Sequence, residues 1–259
     1  MFRLTRQVRL AVEAPDIHPG LRVPNAPIRN GYAGYPPLSG FERFVSVDVS
    51  LGGEPNRDSG YLVNIKQIDE VVRRDGLPVL QEFAGRAGAG VEELARRLFE
   101  RFREVWSQIE SISVHLSPFT GFSVLAREYP MVRFNHKFEF SAAHRLHNPE
   151  LSGEENQKIF GKCNNPNGHG HNYELQVTLR GRLIPVSLLE EVVSASVIQR
   201  FDHKFLNTDT LEFKSVNPTV ENIAQTIFRL LRPPLEKAGG ELAAVTVWET
   251  PKTWCEYSE

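Results

Sequence analysis

The chain has 259 residues, of which 41% are apolar and 24% charged, with a net charge of −2. That is apolar content enough for one large core or two ordinary ones, and it excludes the basic surface that nucleic acid or an anionic membrane face would require. Two cysteines, Cys163 and Cys255, make no disulfide framework, so a reducing, cytoplasmic compartment is expected; Arg3, Arg6 and Arg9 interrupt any signal-peptide core at the start, and no apolar run approaches a membrane span.

Taken in order, Val8, Leu10 and Val12 alternate with polar residues as a half-buried strand does. A proline-rich loop, Pro15 to Gly40, follows, and its length marks it as functional or poorly ordered. The second strand is Val45–Leu51, closed by Gly52-Gly53. A helix is predicted after Asn64, through Ile65, Ile68, Val71 and Val72. Another carries Val91, Leu94, Ala95, Leu98, Phe99 and Phe102 on one apolar face. Strands around Ile112-Val114-Leu116 and Phe122-Val124 finish the first half.

The second half repeats this order. Phe138-Phe140-Ala142 answers the first strand, and Tyr173-Leu175-Val177-Leu179 answers Val45-Val47-Val49-Leu51. Val220, Ile223, Ala224, Ile227, Phe228 and Leu231 reproduce the helical spacing of the first-half helix, and Pro233-Pro234 are expected to stop it. Val245-Val247 answers Ile112-Val114. The pattern predicts an α+β protein of two tandem units, residues 1–129 and 130–259. Each unit would be a four-stranded antiparallel sheet with two helices on one face.

The chemistry concentrates in Phe140–Tyr173, FSAAHRLHNPELSGEENQKIFGKCNNPNGHGHNY. His169 and His171 open an alternating strand, so both imidazoles point to one face. His144 ends the neighbouring alternating run and can add a third nitrogen. Three histidines without a fourth protein ligand are the pattern of catalytic zinc, which keeps one position open. His147 competes for the third place but falls further into the Asn148-Pro149 loop. A lone histidine in a polar loop is usually solvated, and the joint spacing is what carries the metal reading. Cys163 reads as a proton-transfer thiol, with a structural thiol or a fourth zinc ligand as alternatives. The Asp202-His203 pair, which by itself reads as an ordinary helix-end histidine, and an inward-facing Glu249, between Trp248 and Thr250, with an internal salt bridge as its alternative, complete the candidates.

FGKCNNPNGHGHNY resembles the zinc-binding region of the 6-pyruvoyltetrahydropterin synthase family. The likeness continues through Asp202-His203-Lys204, Asn217-Pro218-Thr219-Val220-Glu221-Asn222 and Trp248-Glu249-Thr250. The resemblance implies the tunnelling fold, zinc on His144, His169 and His171, and a catalytic group of Cys163, Asp202 and His203. It further implies Glu249 as the anchor of the pterin, with Thr219 lining the pocket. The implied reaction is loss of triphosphate from 7,8-dihydroneopterin triphosphate to give 6-pyruvoyltetrahydropterin.

A 6-carboxytetrahydropterin synthase of deazaguanine (queuosine) biosynthesis is the rival on the same fold. The five residues between Cys163 and His169 favour the pyruvoyl branch. A non-catalytic pterin-binding or assembly protein is the rival of another class, against which the full set of candidate residues stands. Family sites form between subunits, so a homo-oligomer is expected, a trimer of tandem chains ahead of a dimer. The sequence departs from the family where the lead into the second unit's first helix is shortened to Arg180–Ser187. Ala14, Phe41 and Arg43 occupy the places of the three histidines in the first half, and an arginine repels a cation. The first unit is therefore expected to be a metal-free copy.

Overall fold

The computed structural model describes residues 1–12, 43–84 and 90–259. The expected loop Pro15–Gly40, and with it Ala14 and Phe41, lies outside the described residues. The chain divides into two compact units, Met1–Phe134 and Asn135–Glu259.

In the first unit β1 (Phe2–Val12), β2 (Arg43–Gly53), β3 (Ile109–His115) and β4 (Thr120–Leu125) pair antiparallel in chain order. Between β2 and β3 come α1 (Ile65–Val71), a wide π turn at Val72–Gly76, α2 (Leu77–Ala84) and α3 (Val91–Val105). Asn64 starts α1 by accepting from the Lys66 backbone N–H at 3.0 Å. Period-2 residues Val8, Leu10, Val47, Val49, Leu51 and Ile112 share the core with Ile68, Val72, Leu98, Phe99 and Phe102 from the helices.

The second unit is built the same way. Its sheet runs β5 (Arg133–His144), β6 (His169–Arg180), β8 (Glu241–Thr250), β9 (Thr253–Tyr257), and a short β7 (Lys204–Phe205) lies parallel to β5 at Ala142 and Ala143. The helices are α4 (Gly153–Phe160), α5 (Val186–Val193), a π turn at Ser194–Ile198, α6 (Gln199–Phe201), α7 (Leu206–Asp209) and α8 (Val220–Lys237). The shortened lead ends at Pro185, which caps α5. Among the described residues no helix is long and apolar enough to cross a membrane.

Three details agree between the units. Val47 faces Val114 as Leu175 faces Val247. A register shift falls between Ser50 and Leu51 in one and between Thr178 and Leu179 in the other. A π turn, a rare element, follows the first helix after the second strand in both.

One expectation fails. Pro233-Pro234 do not stop the long helix, which continues to Lys237. The lost N–H groups lie near the exposed side, while Leu231 and Leu235 are both fully buried and hold the last turn to the core. The Arg232–Glu236 ion pair, 2.9 Å, spans the prolines at i, i+4. The sequence reading also passed over α4, which carries a full capping box between Ser152 and Glu155.

Candidate metal centre

β6 begins where Gly168 turns the chain with φ +71°. A methyl group there would stand 2.5 Å from the Phe205 ring and 2.9 Å from the His144 carbonyl. Glycine is therefore required for the entry of His169 into the sheet. Gly168→Ala is expected to cost about 2–4 kcal/mol, from the left-handed backbone and overpacking together. A urea titration reads this as a lower midpoint, and an unchanged midpoint would show that the loop absorbs the methyl.

His169 and His171 project from β6 and His144 from the end of β5. Their ring nitrogens lie within 4.8 Å of one another. His144 is fully buried, and its Nδ1 stands 2.7 Å from the Pro218 carbonyl oxygen. Burial pushes its pKa down, so the ring is neutral and that carbonyl fixes the proton on Nδ1. Nε2 is then a bare lone pair, 3.1 Å from His169 Nε2. Two such nitrogens meet comfortably when a proton or a cation stands between them. His169 Nδ1 and His171 Nε2 are buried without a hydrogen-bond partner. Burial also lowers the His171 pKa. Clustered imidazoles with buried ring nitrogens left unpartnered are a donor set that suits zinc.

Glu249, from β8, brings Oε1 to 3.4 Å from His144 Nε2 and 3.5 Å from His171 Nε2. Cys163 lies in a short turn, Gly161–Asn164, pinned where its carbonyl accepts from the Leu146 N–H at 2.8 Å. Burial pushes the thiol pKa up, and the Glu249 carboxylate adds to this. The protein groups alone therefore do not supply the lowering that a neighbouring cation would. Cys163 is not one of the clustered donors.

His147, Asp202 and His203 are not among the clustered donors. His147 bonds through Nδ1 to the Asn164 side chain at 3.0 Å and stays outside the cluster. Asp202 accepts from the Ser141 N–H at 2.8 Å, which holds its carboxyl below the usual range. Its other oxygen meets His203 Nδ1 at 2.8 Å. His203 has a left-handed backbone, φ 57°, donates its N–H to the Ser141 carbonyl, and leaves its side chain 83% exposed. The pair is thus fixed to the margin of β5, and its imidazole faces outward. Thr219 spends its hydroxyl on capping α8, accepting from the Asn222 N–H at 3.3 Å. Sequence reasoning missed the two carbonyl and amide supports of the histidine loop. These are Pro218, behind His144, and Asn217, whose side chain accepts from the His147 N–H at 2.9 Å. The Asn217-Pro218-Thr219 run was the available signal.

Residues 133–259 match the family model described as 6-pyruvoyl tetrahydropterin synthase. The 6-pyruvoyl tetrahydrobiopterin synthase of Drosophila melanogaster is 38% identical over 137 residues, 50% of this chain and 81% of the relative. That of Homo sapiens is 43% identical over 121 residues, 44% of this chain and 82% of the relative. The 6-carboxy-5,6,7,8-tetrahydropterin synthase of Haemophilus influenzae is 29% identical over 156 residues, 50% of this chain and all of the relative.

Proposed function

The chain belongs to the 6-pyruvoyl tetrahydropterin synthase family, and from that premise we infer that its second unit is a zinc-dependent lyase. It converts 7,8-dihydroneopterin triphosphate to 6-pyruvoyltetrahydropterin with loss of triphosphate. The observation that carries this reading is the cluster of His144, His169 and His171, with the buried ring nitrogens of His169 and His171 left unpartnered. Those three residues would hold the zinc, which supplies Lewis-acid polarisation of the substrate's side-chain oxygens when bound.

The chain's own groups do the rest. Cys163 accepts and returns the proton of the side-chain carbon. Its raised pKa makes it a strong base once ionised. Glu249 grips the pterin's amino group and ring N–H as a bidentate acceptor. Asp202 orients His203 as the second proton-transfer group. Since His203 faces outward, we read the pair as serving the site of a neighbouring subunit, in a homo-oligomer with three chains preferred to two. Light scattering tests this, and a fully active monomer would overturn it. The first unit, with Arg43 at the place of His171, is read as a metal-free tandem copy.

Mass spectrometry of the product formed from 7,8-dihydroneopterin triphosphate decides the reaction. A pyruvoyl side chain with triphosphate release is expected. A 6-carboxy product would assign the chain to the chemistry of the Haemophilus influenzae relative, and no product would leave a pterin-binding protein.

Glu249 separates an anchor from a ligand. Glu249→Gln keeps the size of the side chain but loses the charge that pairs with two N–H donors. Pterin affinity is expected to fall about 10–100-fold, as for a charge-assisted bond, with zinc content unchanged. Loss of zinc from this variant would make Glu249 a fourth ligand instead.

A further inference from the structure

Tyr173 follows His169 and His171 on the same face of β6. Its side chain is fully buried, yet its hydroxyl has no hydrogen-bond partner. The ring cannot swing away to find one. It stacks on Phe140 with centroids 5.0 Å apart and planes at 14°, and meets the His171 and His144 rings edge-on at 5.6 and 6.4 Å. Both of those histidines belong to the cluster, which puts the Tyr173 ring beside the candidate site. Outside the histidine cluster, buried polar side chains of this unit such as Asn156 and Thr210 are satisfied: Asn156 donates to three carbonyls and Thr210 to the Leu206 carbonyl. A phenylalanine would fill the same space without stranding an O–H, and a stranded buried donor is costly enough to call for an explanation.

We propose that Tyr173 is a substrate-binding residue, whose O–H donates a hydrogen bond to a side-chain oxygen of the pterin held beside the histidine cluster. This rests on the pterin synthase reading above. The neutral phenol is the right group for the task. It donates to a hydroxyl or carbonyl oxygen, adds no charge beside Glu249, and is held rigid by three aromatic neighbours, so little freedom is lost on binding. It selects for pterins that carry an oxygen on the first atoms of the 6-substituent.

The test compares zinc-loaded wild type and Tyr173→Phe by pterin fluorescence titration with two probes. Neopterin has side-chain hydroxyls; pterin itself has none. The variant is expected to bind neopterin about tenfold more weakly, a change of roughly 1.4 kcal/mol, and pterin as wild type does. Its melting temperature is expected to be unchanged or higher, because an unpaired O–H has been removed. Equal affinities for neopterin in both proteins, or equal weakening of both probes, would overturn the proposal. So would a variant that melts several degrees lower or fails to fold, since the hydroxyl would then have a partner within the chain. Failure of wild type to bind either probe would strike at the pterin reading itself, and is told apart by appearing before any substitution.

Discussion

Purified protein is expected to carry one zinc per chain, and His169→Ala none. Three imidazoles with ring nitrogens within 4.8 Å of one another supply the donor set in the second unit. At the matching position of the first stands Arg43, whose charge opposes a cation. Losing even the outer partner of a metal-bound histidine weakens binding about 10–100-fold. Loss of a direct ligand should exceed that and empty the site on dialysis. Elemental analysis gives the stoichiometry. Limited proteolysis should show the first unit intact in the variant, because its core of Val8, Val47, Leu98 and Phe102 draws on no residue of the cluster. Two metals per chain, or none after growth in zinc, would remove the zinc reading.

Cys163→Ala is expected to lower turnover by about 10²–10⁴-fold, the usual range for a positioned acid–base group, while zinc and neopterin stay bound. The thiol lies outside the clustered donors, and its turn is fixed through backbone bonds that alanine preserves. Zinc loss in this variant would make Cys163 a ligand and end its role as base. Cys255→Ala provides the contrast. That residue sits in β9, with its Sγ 3.8 Å from the Glu256 carbonyl oxygen, and activity should be nearly unchanged.

What could be read from the sequence was what repeats locally. Strand alternation placed His169 and His171 on one face, and helical spacing gave the buried faces of α3 and α8. What could not be read depends on contacts made far along the chain. The Pro218 carbonyl behind His144 comes from 74 residues away. The isolation of the Tyr173 hydroxyl depends on what surrounds its tip, whereas its place in the strand follows from alternation alone. Pro233-Pro234 misled because local propensity was outweighed by the burial of Leu231 and Leu235 on the opposite flank. α4 was legible and passed over, since Ser152 and Glu155 spell its start. Asp202-His203 was legible as a pair; its outward presentation follows from the pairing of Lys204-Phe205 with β5.

The π turn at Ser194–Ile198 has a consequence for where that pair emerges. Each residue advances an α-helix by about 100°, so a turn that accommodates an extra residue offsets the phase of everything after it. Here the offset sends Phe201 inward to full burial and releases Asp202 at the angle where it meets the Ser141 amide. Wound as regular α-helix, the same five residues would rotate that exit by about a quarter circle, with Phe201 swung off the core and the carboxylate off its amide. The wide turn thus works as an angular setting, fixing the azimuth from which His203 leaves the unit.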